Sequence, residues 1–381
     1  MPITAKNITK NILAIGIGLT IVIIISEITL RIWQPVEFRV KGNKILLPIN
    51  KKYQIYNDKI NKLDKNIIHT KNRLGFRGGG PPTNFSDYLT IITVGGSTTE
   101  CFYLSDNKTW TANLGNKIEK GFKKVWINNA GIDGCSTFGH IVLLEDYLVN
   151  LKPKMLIFLV GINDVGLEDS LHLDDRITID RHRGSFNIPY IKKLLTKSET
   201  CFFVINLWRN WQARKLGVLH ANLDLTKAIN VEVADSEILK LIRLHKEKYL
   251  RGYRDRLLKL IKICQDNSII SCFITQPALY GKGVDDITGK NLETVKYTGN
   301  LNGKAAWELL ELYNDTLRQV ASSQGVLLID LAREMPKSYT YYYDMHHYTN
   351  EGAQKAAQII YQNLYPAMAS RFKEYQMGSG H

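Results

Sequence analysis

The sequence predicts an α/β domain on a mainly five-stranded parallel sheet, preceded by one N-terminal transmembrane helix. Three observations carry that expectation. Short apolar runs alternate with amphipathic helical patterns over most of the chain, several of the runs end in glycine-containing motifs, and a long charge-poor stretch stands at the N-terminus.

The N-terminal stretch comes first. Residues 12–30 contain twelve Ile, Leu or Val residues and one acidic residue, Glu27. Each aliphatic residue favours insertion by roughly 0.3–0.6 kcal/mol, against about 3 kcal/mol for one acid, so the sum favours a membrane helix. Glu27 lies near the far end of the run and Trp33 just beyond it, as an interfacial anchor would. No small-x-small cleavage site follows, so an uncleaved anchor over 1–33 is expected rather than a signal peptide. Lys6 and Lys10 precede the helix while Arg31, Arg39, Lys41 and Lys44 follow it. That charge count alone would leave the rest of the chain cytoplasmic.

Residues 34–85 are polar, rich in Asn and Lys, and end in a Gly-Gly-Gly-Pro-Pro run at 78–82, which reads as a stalk and lead-in. The catalytic domain is expected over 86–370, with strands near 89–94, 125–128, 155–160, 269–275 and 326–331. Helices between them show apolar stripes, Ile141, Leu144, Leu148 and Leu151 on one and Leu257, Leu260, Ile261 and Cys264 on another, as in a sheet covered on both faces. The rhythm breaks over about 166–235, an insertion expected to cap the site, whose aromatic patch of Phe202, Phe203, Trp208 and Trp211 is open to three readings: lining a substrate groove, resting on the membrane interface, or forming the cap's own small core. Residues 371–381 read as a C-terminal tail.

Composition narrows the function classes. The 44% hydrophobic content is ample for a core, and the net charge of +14 is spread through every segment without a zinc-finger, RNP or basic-zipper pattern. A basic solvated surface is therefore expected, with no nucleic-acid partner. The five cysteines form no CxxC pair, and Cys101 and Cys135, each following a motif, are expected as free thiols in preference to a disulfide.

Three motifs follow three successive strands: GGSTTE at 95–100, NAGIDG at 129–134 and GIND at 161–164. Loops at the carboxyl edge of a parallel sheet converge, so Ser97, Gly134 and Asn163 can meet at one point. A fourth motif, DMHHYTNEG at 344–352, follows the last strand and supplies Asp344 and His347. A serine hydroxyl becomes an effective nucleophile when an imidazole takes its proton and a carboxylate orients that imidazole. The oxyanion then needs aimed donors, which the backbone N–H of Ser97, the backbone N–H of Gly134 and the side-chain amide of Asn163 can supply. No Gly-Lys-Ser/Thr makes the first motif a P-loop, and GxSxG is absent. A metal on Asp344, His346 and His347 would lack a separated third ligand and leave the serine block unexplained, so no metal and no cofactor are expected. Asp164 reads as a cap or structural partner, and His140 as a surface or helix-start residue.

With these four blocks the chain resembles the SGNH (GDSL-type) hydrolases over roughly residues 88–366. One departure is Gly-Gly-Ser in the first block where that family usually has Gly-Asp-Ser. The resemblance implies a three-layer α/β/α sandwich of SGNH/flavodoxin-like type and ester chemistry. It implies Ser97 as nucleophile, Asp344 and His347 completing the triad, Ser97, Gly134 and Asn163 as oxyanion donors, and no cofactor. It also implies a single-pass membrane protein with its catalytic domain on the extracytoplasmic (periplasmic) side, acting on acyl esters, foremost O-acetyl, of a cell-surface or exported glycan. The alternatives kept open are an O-acyltransferase passing the acyl group to a glycan hydroxyl, a lipid esterase, and a glycan-binding factor in polysaccharide export. A membrane acyltransferase or polysaccharide-export protein is the partner that goes with them.

Overall fold

A computed structural model of the chain describes residues 5–33, 39–41, 44–167, 197–215, 220 and 222–377. Much of the insertion expected over 166–235, with His172 and His182, and the last four residues of the tail lie outside the described residues. The chain divides into two compact units, Met1–Leu46 with His182–Leu219, and Leu47–Arg181 with His220–His381.

In chain order the elements are α1 (Ala5–Ile32), the hairpin β1 (Lys51–Tyr56) and β2 (Asn66–Lys71), then β3 (Leu89–Gly95), α2 (Ser97–Glu100), α3 (Trp110–Ile118), β4 (Val125–Asn129), α4 (Thr137–Leu143) and β5 (Met155–Val160). They continue with α5 (Glu199–Lys215), α6 (Asp235–Lys248), α7 (Leu250–Asp266), β6 (Ile270–Thr275), α8 (Gly303–Gln324), β7 (Leu327–Ile329) and α9 (Asn350–Arg371). The first unit holds α1 and α5, and the second holds the sheet.

The five expected strands form one parallel sheet in the order β7-β6-β5-β3-β4. Every residue of β3 and β5 is buried, because helices cover both faces and leave no side of the central strands for polar residues. Alternate positions serve the two faces. Ile91, Ile157, Leu159 and Ile274 join one core with Leu114 of α3 and Ala353, Ala357 and Ile360 of α9, while Phe158 and Phe273, of opposite parity, stack on each other at 4.9 Å. Leu257, Leu260, Ile261 and Cys264 of α7 are buried as their stripe predicted. The chain runs from β3 outward to β4 and then back across to β5 on the other side. That reversal opens a crevice at the carboxyl end of β3, where ligands bind in open α/β sheets.

The domain boundaries differ from the sequence reading. The lead-in placed at 34–85 is folded from Leu47 onward, as part of the second unit. Strand β2 buries Ile67, His69 and Lys71 on alternate positions, a period hidden by its polar composition. Arg77, only 2% exposed, donates to the carbonyls of Glu100, Cys101 and Leu104 at 2.6–2.7 Å and pairs with Asp106 at 2.9 Å. Those carbonyls lie in the turn after α2, where Cys101 takes φ 51° and helical bonding stops, so a buried guanidinium satisfies them in place of water. At the other end the tail expected from 371 is packed as far as Met377: Phe372 and Tyr375 are buried, and the Met377 N–H donates to the carbonyl of Gly121.

Arg77→Ala is expected to lower the unfolding free energy by about 3–5 kcal/mol in denaturant titration, the cost typical of removing one partner of a buried ion pair. A loss below 1 kcal/mol would mean that the lead-in is not braced through this side chain.

Candidate active site

The β3 run ends at Gly95, and Gly96 turns the chain so that Ser97 opens the single turn α2 at the crevice. Trp110 Nε1 donates to the carbonyl of Thr98, and Thr98 Oγ1 donates to Gln276, fixing that turn from two sides. Asp344 and His347 come from a tight loop before α9, closed by the Tyr343 N–H bonding the carbonyl of His347 and the Thr349 N–H that of Tyr341. The loop sets His347 Nε2 2.7 Å from Ser97 Oγ and His347 Nδ1 2.6 Å from Asp344 Oδ2.

Charge assigns the protons along this line. Burial disfavours ionisation of Asp344, but His347 and His346 beside it, and the hydrogen bonds it accepts, hold its carboxyl well below the usual carboxylate range. Its Oδ1 accepts the backbone N–H groups of His346 at 2.9 Å and His347 at 2.8 Å. An ionised carboxylate only accepts, so Nδ1 carries the imidazole proton and Nε2 is left to accept from the serine hydroxyl. That is the geometry for generating an alkoxide at Ser97.

The other two motif residues lie alongside. Asn163 Nδ2 donates to the carbonyl of Cys135 at 2.9 Å, and an amide nitrogen retains a second N–H for another acceptor. A Cβ on Gly96 would stand 2.1 Å from that nitrogen. Glycine at the second position of the first block thus leaves the space that the Asn163 amide occupies, which gives the Gly-Gly-Ser departure a physical reason. Gly134 has φ 73° and follows Asp133, whose N–H donates to Glu100 Oε2 at 2.6 Å.

Several residues around the site had gone unassigned in the sequence. Asn129 donates to the carbonyl of Thr99 at 2.5 Å and accepts from the Gly131 N–H at 2.8 Å, tying the second motif to α2. A Cβ on Gly131 would lie 2.4 Å from Glu100 N, so glycine permits that close approach. Glu100, last in the first motif and buried, accepts from Lys71 Nζ of β2 at 3.1 Å while it holds Asp133. The motif spacing signalled Asn129 and Glu100 but not their partners, and nothing local marks Lys71. His220, an isolated histidine in the insertion, stands 4.1 Å ring to ring from His347 and hydrogen-bonds Tyr343 Oη at 2.7 Å through Nδ1. Tyr343 in turn stacks on His347, ring centroids 5.5 Å apart.

Asp164 is structural, as its position suggested: it accepts from the Thr137 N–H at the start of α4 and pairs with Arg256 at 3.2 Å, both side chains buried. His140 is buried within α4 and not at the surface, and desolvation draws its imidazole down to about 4. Cys101 and Cys135 are buried free thiols. The potential ligand atoms of His220, Asp344 and His347 lie within 4.8 Å of one another, but His347 already spends both ring nitrogens on Asp344 and Ser97.

The sequence profile of the GDSL-like lipase/acylhydrolase family matches residues 93–355, which takes in all four motifs and well over half of the chain. The chain belongs to this family. It is an ester hydrolase of the SGNH/GDSL type with the α/β fold of that group. A search of curated proteins finds no match to it. Among solved structures, a putative acylhydrolase from Bacteroides fragilis is similar at 12% identity and a TM-score of 0.37, covering 76% of this chain and 90% of its own. A GDSL-like lipase from Bacteroides thetaiotaomicron follows at 10% and 0.38, covering 77% and 92%. An acetylxylan esterase from Geobacillus stearothermophilus stands at 14% and 0.40, covering 72% and 93%.

Because Glu100 links Lys71 to the loop that carries Gly134, Glu100→Gln is expected to lower kcat on p-nitrophenyl acetate about 10- to 100-fold with a smaller change in KM, the cost of a slightly misplaced loop. Unchanged kcat in a folded variant would remove Glu100 from the positioning of that loop.

Proposed function

We propose that this hydrolase works through a Ser97 acyl-enzyme, with Asp344 and His347 completing the triad. The observation that carries the reading is the continuous line of short hydrogen bonds from Ser97 Oγ through His347 to the ionised Asp344. Ser97 Oγ attacks the ester carbonyl carbon as His347 Nε2 takes its proton, and the tetrahedral oxyanion is met by the N–H groups of Ser97 and Gly134 and the amide of Asn163. Collapse expels the alkoxide, which takes the proton from His347, and leaves the acyl group on Ser97. Water then attacks the acyl-enzyme, giving its proton to His347, and the carboxylic acid departs as the proton returns to Ser97.

The acyl group is short, foremost acetyl. The cavity beside Ser97, walled by Cys101, Leu104, Tyr343 and Tyr348, is small, which supports a methyl-sized substituent over a long chain. A glycan as the alcohol part of that acetyl ester follows the family resemblance. α1 is one apolar helix with a 23-residue stretch, Lys10–Ile32, long enough to cross a membrane. We read it as a single-pass anchor, with the hydrolase on the extracytoplasmic side.

Ser97→Ala is expected to cost on the order of 10⁶ in kcat, and Asn163→Ala about 10² to 10³. Asp344→Asn should fall near 10⁴, as loss of the correct tautomer does elsewhere. Full activity of Ser97→Ala on p-nitrophenyl acetate would sink the acyl-enzyme. On p-nitrophenyl esters, acetate should exceed butyrate in kcat/KM by at least about tenfold, and a preference for butyrate would overturn the short-acyl assignment. With an acetylated glycan and a second glycan supplied together, released acetate should dominate; transfer exceeding hydrolysis would make the protein an acyltransferase.

A further inference from the structure

We infer that α5 is a second membrane-contacting helix, lying in the lipid–water interface beside α1, so that this chain meets the bilayer through two helices. The inference rests on the reading of α1 as a membrane anchor. It starts from Glu27, the acidic residue within the apolar run. The Glu27 carboxylate accepts hydrogen bonds from Ser198 Oγ at 2.8 Å, the Glu199 N–H at 3.0 Å and the Thr200 N–H at 3.1 Å, and pairs with Arg31 at 3.0 Å. Ser26 Oγ and Thr200 Oγ1 add a contact at 3.0 Å. A charge that would oppose insertion of α1 is thereby the cap on the first turn of α5, where the unsatisfied N–H groups and the positive end of the helix dipole favour an anion.

This attachment sets the depth of the first turn of α5. Glu27 stands five residues before the end of α1 at Ile32, and at 1.5 Å per residue that is about 8 Å inside the end of the apolar span. An amphipathic helix in the interface sits about 5–10 Å into the boundary between headgroups and acyl chains. From that start α5 exposes Val204, Leu207, Trp208 and Trp211, at 58%, 48%, 41% and 56%. Their spacing of i, i+3, i+4 and i+7 places them in one stripe along the helix. Tryptophan is the residue that favours this level of a bilayer, and Trp33, also exposed, marks the same level one residue past α1. No residue of the apolar stretch of α1 is buried within the protein, and only Ser26, Glu27 and Leu30 are partly covered, so lipid that surrounds α1 reaches the helix bonded to its side. The occupant of the α5 stripe is therefore lipid.

The test uses the full-length protein reconstituted in phosphatidylcholine vesicles, with tryptophan emission quenched by brominated phosphatidylcholine. Three proteins are compared: the wild type, Trp33→Phe, and Trp208→Phe/Trp211→Phe, each checked for folding by its turnover of p-nitrophenyl acetate. Interfacial α5 predicts that the double variant loses about half or more of the wild-type quenching, and Trp33→Phe a smaller part. If Trp33 carries all the quenching and the double variant matches the wild type, the anchor stands and the inference fails, the stripe then being covered by protein. If brominated lipid quenches none of the three, the anchor reading falls together with the inference.

Discussion

The hydrogen-bonded line from Ser97 through His347 to Asp344 joins side chains 250 residues apart in sequence, and much of the fold exists to hold its two distances. Only a sheet whose strands end side by side brings the turn after β3 next to the loop after β7. The strands can do this because they are buried on both faces, so their register is set by apolar contact on each side and a slip of one residue would expose or bury the wrong set. Asp344 is shared by two backbone N–H groups and the imidazole. Those partners keep it ionised in a place where burial would otherwise protonate it.

Around that line, the loops are braced by polar groups out of reach of solvent. Arg77 collects the carbonyls of the turn after α2, Asn129 stitches the second motif to α2, and Glu100 ties Lys71 to the chain next to Gly134. Each of these groups would be costly unpaired, so the network has few ways to loosen partially. A loop held by backbone hydrogen bonds to buried charges keeps its N–H groups in one place. The same arrangement explains why a segment of polar composition, residues 47–85, is folded and not a spacer.

Unit one carries a parallel lesson in how charge is placed. Glu27 in an apolar run looks unfavourable when α1 is read alone, and becomes a helix cap once α5 is present. The cost of a charge in such a run is a property of its partners and not of its position in the sequence.

The elements that depend on local pattern were legible before any packing was known: five apolar runs became five strands within a residue or two at each end, and the stripe of α7 became core. The four motifs were legible too, since chemistry demands particular residue types at strand ends. Local pattern could not reveal Lys71, Arg77 or His220, because a lone charged residue in a polar stretch looks the same whether it faces water or a buried carbonyl. Nor could it tell that His140 lies in the interior, or that Gly96 stands clear of the Asn163 amide. Those facts depend on which distant group fills the space beside a residue, and only the packing of the sheet and its loops decides that.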